Sequence, residues 1–156
     1  MIERISDWIR TAANLAGVQQ VYFGRIGDYN LFANNGADTV PVLVIEPPTG
    51  GSAMLAANAK QDDVTLKLFM LTADQTTSGY DAVLENDGSV PAREVLIGQM
   101  DQLMTDFVWY LNGQVINGGQ RMTTPTGLTT YDQYTDRVLA GVSRSITIRI
   151  VTVNCA

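Results

Sequence analysis

A chain of 156 residues, 46% of them apolar, has room for one domain with a real core, yet only 17% of its residues are charged, below the usual quarter. Its net charge of −6 and pI of about 4.4 exclude the clustered Lys and Arg needed to wrap nucleic acid. The single cysteine, Cys155, excludes an internal disulfide framework, and the lack of histidine excludes Ser-His-Asp and Cys-His triads and the usual zinc sites.

Residues 1–16 hold Ile2, Ile5, Ile9, Ala12 and Ala16 at helical spacing, with Trp8 and Leu15 beside them. Glu3, Arg4, Asp7 and Arg10 fall off that stripe, and Gly17 suits a stop. The spacing predicts an amphipathic helix that lays one face on a sheet. Its frequent charges are unlike a secretory signal, and the chain has no run of about 18 apolar residues to span a membrane.

Residues 18–26 predict a first strand, Gly27-Asp28 a turn, and residues 29–32 a short return strand. Residues 34–38 carry turn chemistry. The strand predicted over 39–48 has a core, VLVIE, that is apolar on both faces and so belongs inside a sheet. Pro41 marks its start or an edge, and Pro47-Pro48 its end. Residues 49–63 read as a long connection, flexible at Gly50-Gly51, with a turn or two of helix over AMLAANA. Residues 64–72 alternate as a strand, Val64, Leu66, Leu68 and Met70 on one face, Thr65, Lys67, Phe69 and Leu71 on the other. Residues 73–90 read as a second long loop, and loops of that length in a compact domain usually serve a purpose.

The main helix is predicted over 91–112, with Ser89 as N-cap, Pro91 in the first turn and Glu94 suited to the helix dipole. Leu96, Met100, Leu103, Phe107 and Leu111 form its stripe; Val95, Met104, Val108 and Trp109 widen it. Trp109 is expected in the core or at a subunit contact, and Gly113 is expected to end the helix. Gly98 costs about 1 kcal/mol relative to Ala and is expected where the helix approaches the sheet closely. Residues 114–137 predict one strand and a mobile or interface-forming stretch.

The clearest strand is 138–153. Val138, Ala140, Val142, Ile146, Ile148 and Ile150 lie on one face, and Ser143, Ser145, Thr147 and Arg149 on the other. Only Arg144 breaks the apolar row, and Gly141 is expected to kink the strand or divide two halves of a hairpin. The order helix, strands, helix, strands predicts a single α+β domain over 1–156. It has a mainly antiparallel sheet, an N-terminal helix and one long central helix packed on one face, and long inter-strand loops.

No catalytic, cofactor or metal site is expected. Gly50-Gly51-Ser52 follows a strand but lacks the lysine of a phosphate loop. Residues 85–89 lack the spacing and closing Glu of a calcium loop and read as a helix cap. Asp62-Asp63 read as solvated carboxylates, and Asp132 and Asp136 mark no site. Sparse charge combined with abundant Thr, Asn, Gln and Ser fits a surface that faces other subunits, because interface cores are depleted in Lys, Glu and Asp; drift in composition gives the same look. Tyr80, Tyr131 and Tyr134, with Met54 and Leu55, are the interface candidates.

The N-terminal helix, the strand pair leading to PVLVIEPP, a long loop, VTLKLFML, the helix EVLIGQMDQLMTDFVWYLN and a terminal hairpin together resemble tail terminator or tail completion proteins of tailed bacteriophages. The resemblance is one of order and texture over most of the chain. It implies a non-enzymatic virion subunit, assembled in the host bacterial cytoplasm, whose homo-oligomer (usually a hexameric ring) caps the tail tube and joins it to the head–neck connector. Its partners would be tail-tube and neck proteins, with 47–63, 73–90 and 114–137 as arms between subunits. DNA would pass through the lumen without specific binding, since an acidic wall repels phosphate. The alternatives are another neck, tail-tube or baseplate subunit, or a non-catalytic cellular protein-binding domain.

Overall fold

The computed structural model describes residues 2–29, 41–73, 92–123, 129–131 and 139–154. Its elements are α1 (Ile2–Ala16), β1 (Gln20–Phe23), β2 (Val42–Ile45), β3 (Thr49–Ala56), β4 (Ala59–Ala73), α2 (Ala92–Asn117), β5 (Arg121–Thr123), β6 (Thr129–Tyr131) and β7 (Leu139–Val153). The spine is β4 and β7, each of 15 residues, antiparallel and in unbroken register from Ala59 opposite Val153 to Ala73 opposite Leu139. On the far edge of β4 sit β2 and then β3; on the far edge of β7 sit β5 and β6. Strands β1 and β2 pair in parallel, and every other pairing is antiparallel. This is the expected α+β domain, with a mixed, mostly antiparallel sheet and both helices against it.

The alternation in 138–153 explains the main core. Val142, Ile146, Ile148 and Ile150 of β7 join Val64, Leu66, Leu68 and Met70 of β4 on the face that the helices cover. Ile5, Ile9, Ala12 and Ala13 reach that core from α1, and Met100, Met104, Phe107, Leu111 and Val115 from α2. Both sets follow three- and four-residue spacing, as one face of a helix must. A smaller cluster on the opposite face joins Val42, Val44, Phe69, Leu71 and Leu139 to Tyr29, whose ring meets Tyr22 edge-on at 5.3 Å. All four residues of β2 are buried, as an apolar run read as interior requires.

Arg144, which interrupts the apolar row, points to the helix side. Its side chain is 21% exposed, and its Nη2 donates to Asp101 Oδ1 of α2 at 3.3 Å. The bond ties the central helix to the spine, and breaking it would leave a largely buried guanidinium unpaired.

Several expectations are corrected. Residues 49–63 are no connection and hold no helix: Thr49–Ala56 and the start of β4 form a hairpin. Among the described residues, regular pairing over the expected 18–26 and 39–48 strands is limited to Gln20–Phe23 and Val42–Ile45. Residues 26–29 form a helical turn, so the expected turn at Gly27-Asp28 is helical and Tyr29 does not begin a return strand; 30–32 lie outside the described residues. α2 continues through Gly113 to Asn117, so residues 114–137 begin with helix. Gly119, at φ 77°, supplies the left-handed turn that stops it. Leu15 and Val95 are exposed rather than part of a buried stripe. Gly98 faces open space, not the sheet. Gly141 neither kinks nor divides β7; its backbone lies so close to Met70 that an added Cβ would strike the Met70 carbonyl.

Candidate interaction surfaces

Three surfaces stand out once the core is assigned. The first is the β3–β4 hairpin. Every residue of β3 is exposed, and its sequence, TGGSAMLA, has no charge and no proline. Among the described residues β3 pairs with β4 alone, so its other edge is free. Monomers usually guard such an edge with Lys, Pro or an inward charge. Met54, at 68% exposure, and Leu55 stand near the tip, and Val151 and Val153 at the end of β7 are exposed as well.

Two aspartates read as merely solvated hold this arm to the spine. Asp62 is buried; it accepts a hydrogen bond from Ser52 Oγ of β3, and Lys60 Nζ stands 3.0 Å away. Those two contacts hold its carboxyl below the ordinary value of 3.8, with the Ser52 hydrogen bond the larger cause. Asp63 lies directly opposite Arg149 of β7, which donates from Nε at 2.9 Å and from Nη2 at 3.0 Å. That paired hydrogen bond holds Asp63 below 3.8 and raises Arg149. A carboxyl depressed on folding stabilises the fold above its unfolded value and stops doing so as pH falls through the folded one. Urea midpoints should therefore be level above 3.8 and fall below it. Asp62→Asn with Asp63→Asn should flatten that fall while lowering the midpoint at neutral pH.

The second surface is the outer side of α2. Val95, Gly98, Gln102, Thr105, Trp109, Gly113 and Ile116 follow one another at three- and four-residue spacing, and all are exposed. Trp109 is 76% exposed, which overturns its placement in the core and leaves a subunit contact untested. The row carries no charge; α2 has the acidic residues Glu94, Asp101 and Asp106 and one basic residue, Arg93, in its first turn.

The third is the sheet face away from the helices, beyond the small cluster. It carries Thr65 and Thr147, whose hydroxyls meet at 3.0 Å, with Ser145 and Thr123 nearby. Its charges are Lys67, Arg121 and Arg149 against Asp63 and against Glu46, which follows β2 on the same face beside Lys67. Arg121 lies directly opposite Arg149, beside a groove of about 330 Å³ that Gln61 and Gln120 also line.

Of the residues expected to form an interface, Met54 and Leu55 come together on the hairpin. Tyr80 and Tyr134 lie outside the described residues, as does the side chain of Tyr131. The loop expected over 73–90 lies outside them too, apart from Ala73 at the end of β4. Among the described residues, no three His, Cys, Asp or Glu side chains gather as a metal would need, and no helix is long and apolar enough to cross a membrane. The outer row of α2 was visible in its spacing, but Val95 and Trp109 were read as widening the buried stripe. No known protein family matches the chain, and no curated protein matches it.

Proposed function

We propose that this chain is a structural subunit of a tailed-phage virion, a tail terminator or completion protein whose copies close into a ring on the tail tube and join it to the head–neck connector. The observation that carries the reading is β3, an exposed, uncharged strand with a free edge and an apolar tip. In a lone protein that edge is a liability; in a ring it is a ready strand partner for the next subunit. The sparse charge of the chain agrees with surfaces meant to be covered. The work of such a subunit is mechanical: it ends tube growth by shape, and an acidic wall lets DNA pass without adhering. The same edge would serve a neck connector, tail-tube or baseplate subunit, and the particle that the rings cap separates these roles.

Light scattering with negative-stain images tests the reading. Closed rings, alone or on added tail tubes, are the expected result; a strict monomer that ignores tail tubes overturns it. Met54→Asp with Leu55→Asp should lower the native mass while leaving the circular dichroism of the folded subunit unchanged, because both side chains are exposed in the single chain.

A further inference from the structure

We propose that the open polar face of the sheet receives the outer side of α2 from a second copy of this chain, head to tail. The proposal rests on the ring reading for its repeated copies and names one contact between them. Charge complementarity selects the occupant. In a chain of net charge −6, the open face carries a surplus of one positive charge, with Lys67, Arg121 and Arg149 against Asp63 and Glu46, and the surplus lies at the Arg121 end. Glu94 and Asp106 flank the uncharged outer row of α2, while Asp101 is held by Arg144 and Arg93 lies off that row by helical spacing, so the two faces attract each other.

The Arg121–Arg149 pair sharpens the point. Like charges directly opposite on neighbouring strands are destabilising. Asp63 engages Arg149 with both oxygens, which leaves a surplus cation beside the groove. An incoming carboxylate, Asp106 or Glu94 of the next copy, would neutralise it. Dimensions agree. Lys67 and Arg121 lie four residues apart along the strands and two strands apart, about 17 Å; Glu94 and Asp106 are about 18 Å apart along α2.

Contact chemistry agrees as well. Thr65 and Thr147 share one hydrogen bond, so covering that part of the face leaves one hydroxyl proton for the incoming surface to accept. The uncharged row of α2 would lie over it, with the Trp109 indole placed to stack on a guanidinium. Because the sheet face and the outer side of α2 lie on opposite sides of the two-layer domain, the contact is heterologous. It repeats from copy to copy and closes only as a ring.

Complementation between two exposed-site variants is the test. Arg121→Glu spoils only the sheet face, and Trp109→Glu only the helix face. Each variant alone should be a monomer with the far-ultraviolet circular dichroism of the wild type, and a mixture should give a one-to-one dimer and nothing larger, since each pair has one good contact. Wild-type association should weaken as salt rises. If either variant alone keeps the wild-type mass, or the mixture stays monomeric while the wild type assembles, this contact is overturned and the ring reading stands. A wild type that stays monomeric even with tail tubes overturns both. Should either variant misfold, Lys67→Glu and Ile116→Glu repeat the test on the same two faces.

Discussion

Phe107→Ala should lower the free energy of unfolding by roughly 3–5 kcal/mol. Phe107 is fully buried, near the middle of the stripe by which α2 meets the sheet, among Met104, Leu111 and Ile146 in the main core. Removing the ring forfeits its transfer from water and leaves a cavity that two long strands and a 26-residue helix cannot collapse into. A domain of this size is stable by about 5–15 kcal/mol, so the loss is a large share of the whole. The check is urea unfolding: the midpoint should fall with little change in slope, since the surface exposed on unfolding stays the same. Trp109→Ala, two residues along the same helix, should move the midpoint hardly at all, because that indole is already exposed. If the two variants behaved alike, the assignment of α2's faces would be wrong.

Gly141→Ala should destabilise by about 3 kcal/mol, the upper end of what overpacking costs. The added methyl would meet the Met70 carbonyl carbon at 2.9 Å and Leu71 Cα at 3.1 Å. These are backbone atoms of β4, held by the longest ladder in the molecule, so no side-chain rotation can relieve the clash. Gly98→Ala is the contrasting case. It sits in open space on a helix, where Ala is favoured by about 1 kcal/mol, so it should stabilise. Thermal or urea unfolding of the pair should show opposite signs, and a matching sign would refute the close approach of the two strands at Gly141.

These sites show where the sequence was legible. β7 was readable because each residue's face follows from parity alone, and parity is local. Phe107 and Leu111 were readable because helical spacing is local too. Strand β3 was not, because Ala, Met and Leu favour helix and the glycines break the alternation; only pairing with β4, a tertiary event, makes it a strand. β4 begins earlier than expected because Ala59–Asp63 is polar, and what holds those residues extended is β3 on one side and β7 on the other. Arg144 was visible as an anomaly, but its partner Asp101 lies 43 residues away, and no spacing rule reaches that far. The surfaces were least legible, since exposure is what remains after everything else has packed. Met54 and Leu55, named as interface candidates, are exposed; Trp109, expected in the core or at a subunit contact, is not in the core, because an aromatic in an apolar pattern looks the same whether it faces in or out.

The β4–β7 ladder also sets how the chain must fold. Asp63 and Arg149 are 86 residues apart, and Thr65 and Thr147 are 82 apart. The longest ladder therefore forms only after a large loop has closed, a step that uses up chain entropy before any pairing offsets it. Chains dominated by such distant pairings fold in roughly milliseconds to seconds, far slower than helical bundles. Throughout that interval β4 is already made but lacks its central neighbour, and its apolar row from Val64 to Met70 is bare. Partly folded copies that meet then can pair strand to strand in the wrong way. Yield at high expression should thus depend on temperature and chain concentration during folding more than on the stability of the finished domain.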